Sequence, residues 1–216
     1  MNLETLNPGE RAQLAGLLAK LNGAADEKPA RKRRQKDTVK YLTEQELEQL
    51  FAAIESPRDR AIFRIAYHRG LRAAEIGALQ LSDYQPRTDR LIVKRLKGSN
   101  GGEYHLTSSE VRALRGWLKV RGDAPGPLFL SRRGKGISQQ MLDVLFKQYG
   151  EAAGLPREKC HMHSLKHSCG THLLNRGESI EDVKDHLGHV NIQNTLIYAR
   201  VTSKRRQERD RRLRDW

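Results

Sequence analysis

The chain has 216 residues, with 40 Lys and Arg against 26 Asp and Glu and a formal net charge of +14 at neutral pH. That length suits one ordinary domain plus a short extension, and it can bury a core without a metal or disulfide staple. Two cysteines, Cys160 and Cys169, make no disulfide framework and suit a reducing cytoplasm; no apolar run is long enough to span a membrane, and the N-terminus lacks the apolar core of a signal peptide.

Residues 1–39 form an extension of different character. Asn7-Pro8-Gly9-Glu10 reads as a helix start, and Leu14, Leu17, Leu18 and Leu21 recur at helical spacing before Asn22-Gly23 stops the helix. A single short amphipathic helix cannot bury its own stripe, so it must dock on something. A polar linker follows and ends in Arg31-Lys32-Arg33-Arg34-Gln35-Lys36, which is either a solvated linker or an arm lying along phosphates.

From residue 40 to 216 the pattern is that of one domain. Thr43-Glu44-Gln45-Glu46 is a capping box ahead of Leu47, Leu50, Phe51 and Ile54; Ser56-Pro57 opens a second helix that ends at Gly70; a short third carries Ala74, Ile76 and Leu79. Arg90 to Arg95 and Glu103 to Leu106 read as strands around the turn 98–102. Thr107 and Glu110 cap a helix to about Val120, Leu128-Phe129-Leu130 is a short apolar segment, and Ser138 begins a helix ending near Gly154. Helices are expected from His163 to Asn175, from Ser179 to Leu187, after Asn191 through Tyr198, and in the basic tail from Thr202 to Trp216. The expected fold is mainly α with a small antiparallel β-sheet, an α+β class.

The positive charge favours a polyanionic partner, because Lys and Arg displace condensed counterions from nucleic acid, although ribosomal and membrane-surface proteins share such a balance. Four segments carry chemistry. Arg72 follows a helix-stopping glycine at the start of a new helix, where a guanidinium could fork onto two phosphate oxygens with Glu75 holding it; the bland alternative is a surface pair. Arg95-Leu96-Lys97-Gly98 puts a lysine at a hairpin edge, which by itself is a solvated lysine. His163, Lys166 and His167 share one helical face, and three cationic groups there repel one another unless an anion sits among them. A metal site built from Cys160, His161, His163, His167, Cys169 and His172 is the rival reading, but the spacing matches no zinc pattern and Lys166 would repel a cation, so no metal or other cofactor is expected. The fourth segment, Leu187-Gly188-His189 to Tyr198, brings a histidine near a tyrosine, whose hydroxyl is a poor nucleophile unless cations stabilise the phenolate.

Taken in order, Gly-Leu-Arg72-x-x-Glu75, Lys97, His163-x-x-Lys166-His167, Leu-Gly-His189 and Tyr198 resemble the tyrosine recombinase, or phage integrase, family over residues 40–200. The stretch Leu165-Lys166-His167-Ser168-Cys169-Gly170-Thr171-His172-Leu173-Leu174 is similar to that family's Leu-Arg-His-Ser-Phe-Ala-Thr-His-Leu-Leu. The resemblance implies a nucleophile, Tyr198, that forms a 3′-phosphotyrosine, with Arg72, His163, Lys166 and His189 stabilising the phosphate, Lys97 protonating the leaving oxygen, and Glu75 and His167 in support. It also implies double-stranded DNA as partner, a homotetramer on two DNA sites, possible accessory DNA-bending proteins, and a cytoplasmic, nucleoid-associated location. Arg31, Lys32, Arg33, Arg34, Lys36 and Arg95 are expected to contact DNA.

Two departures stand out. Lys166 replaces the family's second arginine, keeping the charge but losing the planar fork. Residues 1–39 are too short for the upstream helical domain that closes a clamp around DNA, so the chain more nearly resembles the compact fimbrial-switch invertases. An inactive DNA-binding regulator, a type IB topoisomerase-like enzyme and a basic RNA-binding protein are the competing readings; the last leaves the ordered motifs unexplained.

Overall fold

The computed structural model describes residues 7–9, 12–13, 39–96, 99–199, 210–211 and 213–214. The chain divides into two compact units, residues 1–37 and 38–216. In the first, Asn7 Oδ1 accepts from the Gly9 backbone N–H at 3.0 Å, and residues 8–9 and 12–13 are helical. The leucine stripe from Leu14 to Leu21 and the Arg31–Lys36 run lie outside the described residues.

In the second unit, the helix starts follow local capping chemistry. α1 (Glu44–Ala52) begins where Thr43 Oγ1 accepts from the Glu46 N–H and Glu46 returns a carboxylate oxygen to the Thr43 N–H at 2.7 Å. α2 (Pro57–His68) has Ser56 as cap and proline at its first position, where the missing N–H costs nothing. Its interior is apolar nearly all round: Ala61, Ile62, Phe63, Ile65 and Ala66 are fully buried, because α2 packs against neighbours on several sides. Short α3 (Ala73–Ala78) follows. α4 (Ser108–Arg121) starts at the Thr107–Glu110 capping box, lies along α2, and sends the Trp117 indole N–H to the Leu128 carbonyl at 2.9 Å. α5 (Gln139–Ala152) brings Phe146 and Tyr149 edge-on to Phe63, with centroids 5.6 and 5.9 Å apart. α6 (Met162–Asn175) crosses α2 on another side, and the short α7 (Ile180–His186) and α8 (Gln193–Ala199) pack on α6.

The sheet has three antiparallel strands rather than the expected two: β1 (Tyr84–Gln85), β2 (Arg90–Val93) and β3 (Gly102–His105), in that order. β1 pairs Tyr84 with Leu91, and β2 pairs Val93 with Gly102. Two residues are too short a stretch to show an alternation, so β1 carries no periodic signal. β2 ends at Val93, two residues before the expected end, and Arg95 then turns its side chain into the protein instead of continuing the ladder.

Candidate active site

α2 ends in a tight reversal. Gly70 has φ +55°, and a Cβ there would collide with the Leu187 side chain. Leu71 is then buried and Arg72 becomes the residue that precedes α3. Glu75 takes the Arg72 backbone N–H on Oε2 at 2.8 Å and the Arg72 guanidinium on Oε1 at 2.8 Å. The same guanidinium nitrogen donates to Ser99 Oγ at 3.1 Å, so the segment between β2 and β3 is held against Arg72 at Ser99. The Arg72 side chain stays 33% exposed over a fully buried Glu75. Burial pushes the Glu75 carboxyl up, but the Arg72 N–H and the charges of Arg95 and Lys166 outweigh burial and hold it below the usual value.

Arg95 follows β2 and turns inward. Expected as a DNA contact, its side chain is fully buried. It donates to the carbonyls of Gly70 at 3.0 Å, Arg69 at 2.8 Å and His186 at 2.8 Å, and to Glu75 at 3.2 Å and Tyr104 at 3.3 Å. These acceptors occupy its two terminal nitrogens; Nε has no hydrogen-bond partner, but the whole guanidinium lies below the surface. Lys166 is likewise 4% exposed, and its ammonium donates to the carbonyls of Gly70 and Leu187, both at 2.8 Å. Burial, then the charges of Arg95 and Arg72, pull its pKa down to about 7 against the opposing pull of Glu75.

The tyrosine packs against α6 at His167 and Gly170. Tyr198 is 1% exposed, and its hydroxyl is 3.1 Å from His167 Nδ1. Its ring stacks on His189 at 6.4 Å and 15°, and passes so close to Gly170 that a Cβ there would meet Tyr198 Cε2 at 2.7 Å. His189 is buried and paired through Nδ1 with the Thr195 hydroxyl at 2.9 Å. Burial lowers both histidines to about 4: at His167 the charges of His163 and His161 add to it, and at His189 those of Lys166 and Arg72. Burial also pushes the Tyr198 hydroxyl well above its ordinary value.

The repulsion expected among His163, Lys166 and His167 is eased by burial, which lowers Lys166 and His167, and by the Glu75 carboxylate, whose charge acts on Lys166. His167 is neutral at pH 7, and His163 is exposed to water with its ring 5.9 Å from that of His167. The fold brings Arg72, Glu75, Lys166 and His189 into one electrostatically coupled group, and His163, His167, His189 and Tyr198 into one chain of ring contacts. Lys97 lies outside the described residues, although Ser99 two positions on reaches Arg72. The sequence reading did not anticipate Ser99, Thr195, or the glycines at 70, 170 and 188 as packing partners of the site. Their only signal was the placement of glycine beside a motif residue. Among the described residues, no group of three His, Cys, Asp or Glu is placed to hold a metal ion, and no helix is long and apolar enough to cross a membrane.

This mostly helical arrangement over a three-stranded sheet is the fold of tyrosine recombinase catalytic domains. The XerH site-specific recombinase, solved bound to palindromic difH substrate in a post-cleavage complex, matches with a TM-score of 0.69 and 25% identity over 80% of this chain and 53% of its own. The chain belongs to the phage integrase family, which matches residues 40–205, and it is a tyrosine recombinase. The type 1 fimbriae regulatory protein FimB of Escherichia coli K12 is 34% identical over 167 residues, covering 74% of this chain and 83% of that protein. The tyrosine recombinase XerA of Pyrococcus horikoshii is 32% identical over 176 residues, covering 80% of this chain and 61% of XerA.

Proposed function

We propose that this chain binds double-stranded DNA and exchanges strands at a specific site through Tyr198. The phenolic oxygen bonds to the scissile phosphorus as the bond from phosphorus to the 5′-oxygen breaks; the phenol proton leaves and the 5′-oxygen takes one up, from Lys97 in this reading. The phosphodiester energy is kept in the 3′-phosphotyrosine, so rejoining needs no ATP. Arg72 is the guanidinium that reaches outward from a carboxylate brace, which suits it to the non-bridging oxygens. His163 is the exposed member of its helical face, and His189, neutral and held at Nδ1, has Nε2 available as a donor when Thr195 donates to Nδ1. The side-chain cations do the electrostatic work that metal ions do in other phosphoryl transfers.

The observation that carries the reading is the hydrogen bond of 3.1 Å between Tyr198 and His167. Neutral His167 can receive the phenol proton that a buried hydroxyl holds tightly. Because Tyr198 is 1% exposed, attack also requires α8 to carry the ring towards the DNA. XerH is named with its DNA site, which supports a duplex substrate here; four protomers on two sites, accessory bending proteins and a nucleoid-associated location belong to the same proposal.

The test is a nicked suicide substrate. Wild type should accumulate a covalent adduct, and Tyr198→Phe should form none while binding the duplex within a few-fold of wild type. Adduct from the phenylalanine variant would mean that another residue attacks. DNA binding without adduct by the wild type would favour the regulator reading.

A further inference from the structure

The carbonyls of Arg69 and Gly70 follow the end of α2, and those of His186 and Leu187 close the end of α7. The last carbonyls of a helix have no intrahelical partner and carry its negative dipole end, so they must find donors. Two buried cations supply them. Arg95 takes Arg69, Gly70 and His186, and Lys166 takes Gly70 and Leu187. Gly70 and Gly188 let the turns close around these cations: both have positive φ, and a Cβ on Gly188 would meet Arg95 Nε at 2.9 Å and the Asn100 carbonyl at 2.7 Å. Two residues beyond Gly70 stands Arg72; two beyond Leu187 stands His189.

We propose that Lys166 is a positioning residue which, with Arg95, clips the Gly70 turn to the Leu187 turn and so sets Arg72 against His189, and that it does not contact the scissile phosphate. This rests on the reading of Tyr198 as nucleophile. Two of the three ammonium protons are already committed to carbonyls, and the side chain is 4% exposed. The slot also suits lysine. It accepts one nitrogen between two oxygens, and Arg95 already brings a planar guanidinium to the same Gly70 carbonyl. The groups facing Lys166 are Arg95 beyond β2, Arg72 just before α3, Glu75 on α3, His186 on α7, His189 after α7, and Cys169 and His167 on its own helix. Glu75 is the one carboxylate among these groups, and both Arg72 and Arg95 hydrogen-bond to it.

A scissile methylphosphonate distinguishes a clip from a phosphate contact, because it removes the negative charge that a direct contact neutralises. Single-turnover adduct formation is measured for wild type, Arg72→Ala, Lys166→Met and Lys166→Arg on phosphodiester and methylphosphonate suicide sites, with duplex affinity and thermal melting alongside. On phosphodiester, Lys166→Met and Lys166→Arg should both fall by about a hundredfold, the scale of a 1 Å misplacement, with duplex affinity nearly unchanged. On methylphosphonate, Arg72→Ala should recover towards wild type while both Lys166 variants stay low. Recovery of Lys166→Met on the neutral substrate, or faster phosphodiester cleavage by Lys166→Arg, would overturn the clip. Should Lys166→Met fail to fold, Lys166→Arg, which keeps the charge, carries the same test. Absence of wild-type adduct on the phosphodiester would instead overturn the reading of Tyr198.

Discussion

Gly170→Ala isolates the contact that holds the nucleophile. The added Cβ would lie 2.7, 2.8 and 3.0 Å from Tyr198 Cε2, Cδ2 and Cζ. Carbon atoms rest at about 3.5–4.0 Å, so the ring must retreat by roughly 1 Å. The ring has little room: it is 1% exposed, stacked on His189 and tilted against His167 at 5.7 Å. Either α8 shifts off α6 or the site opens. Alanine in a helix interior gains about 1 kcal/mol over glycine, whereas overpacking a filled site costs about 1–3 kcal/mol. The matched control is Gly116→Ala in α4, where a Cβ meets nothing within 4 Å and only the propensity gain remains. At about 2–4 °C per kcal/mol for a chain of this size, Gly116→Ala should raise Tm by a few degrees and leave cleavage unchanged. Gly170→Ala should melt about 2–12 °C below that control. Its cleavage should fall about tenfold or more, because the Tyr198–His167 hydrogen bond cannot survive such a shift. Melting equal to the control's, with full cleavage, would refute the close packing of tyrosine on Gly170.

Removing the carboxylate from the buried cation cluster should be more costly: Glu75→Gln leaves Arg95 and Lys166 without compensation and should destabilise the fold by about 3–5 kcal/mol in urea unfolding, and a loss under 1 kcal/mol would show that another group balances them. Glu75 titrates below its unfolded value, so its stabilisation is present above pH 4.5 and lost as pH falls through the depressed folded value; the gap between wild type and Glu75→Gln should narrow in acid, and a constant gap would count against the assignment. Lys166 acts in the same direction at higher pH. Between about 7 and 10.5 the unfolded chain binds its proton more tightly than the folded one, so stability rises with pH across that window, and a pH-melting series should lose this rise in Lys166→Met. Cleavage should persist in EDTA, since charge stabilisation is assigned to side chains; loss on chelation that Mg²⁺ restores would overturn that assignment.

Much of the fold was legible because helix starts are written in residues at most four apart. Thr43 with Glu46, Ser56 with Asp59, Thr107 with Glu110, and Ser179 with Asp182 close their hydrogen bonds within one turn, so the amino-acid order alone determines them. The stop at Gly70 and the brace of Arg72 by Glu75 are local in the same sense. The family is legible too, because its motifs keep their order along the chain. The destination of a cation is a different matter. Arg95 reads as one more basic residue beside a hairpin, yet its partners at Arg69 and His186 are 26 and 91 residues away. Lys166 has the charge of a phosphate ligand, but carbonyls 96 and 21 residues away claim its protons. A guanidinium or ammonium donates equally well to a phosphate oxygen and to a helix-end carbonyl, so only the packing of α2, α6 and α7 around these side chains decides which acceptor each one meets.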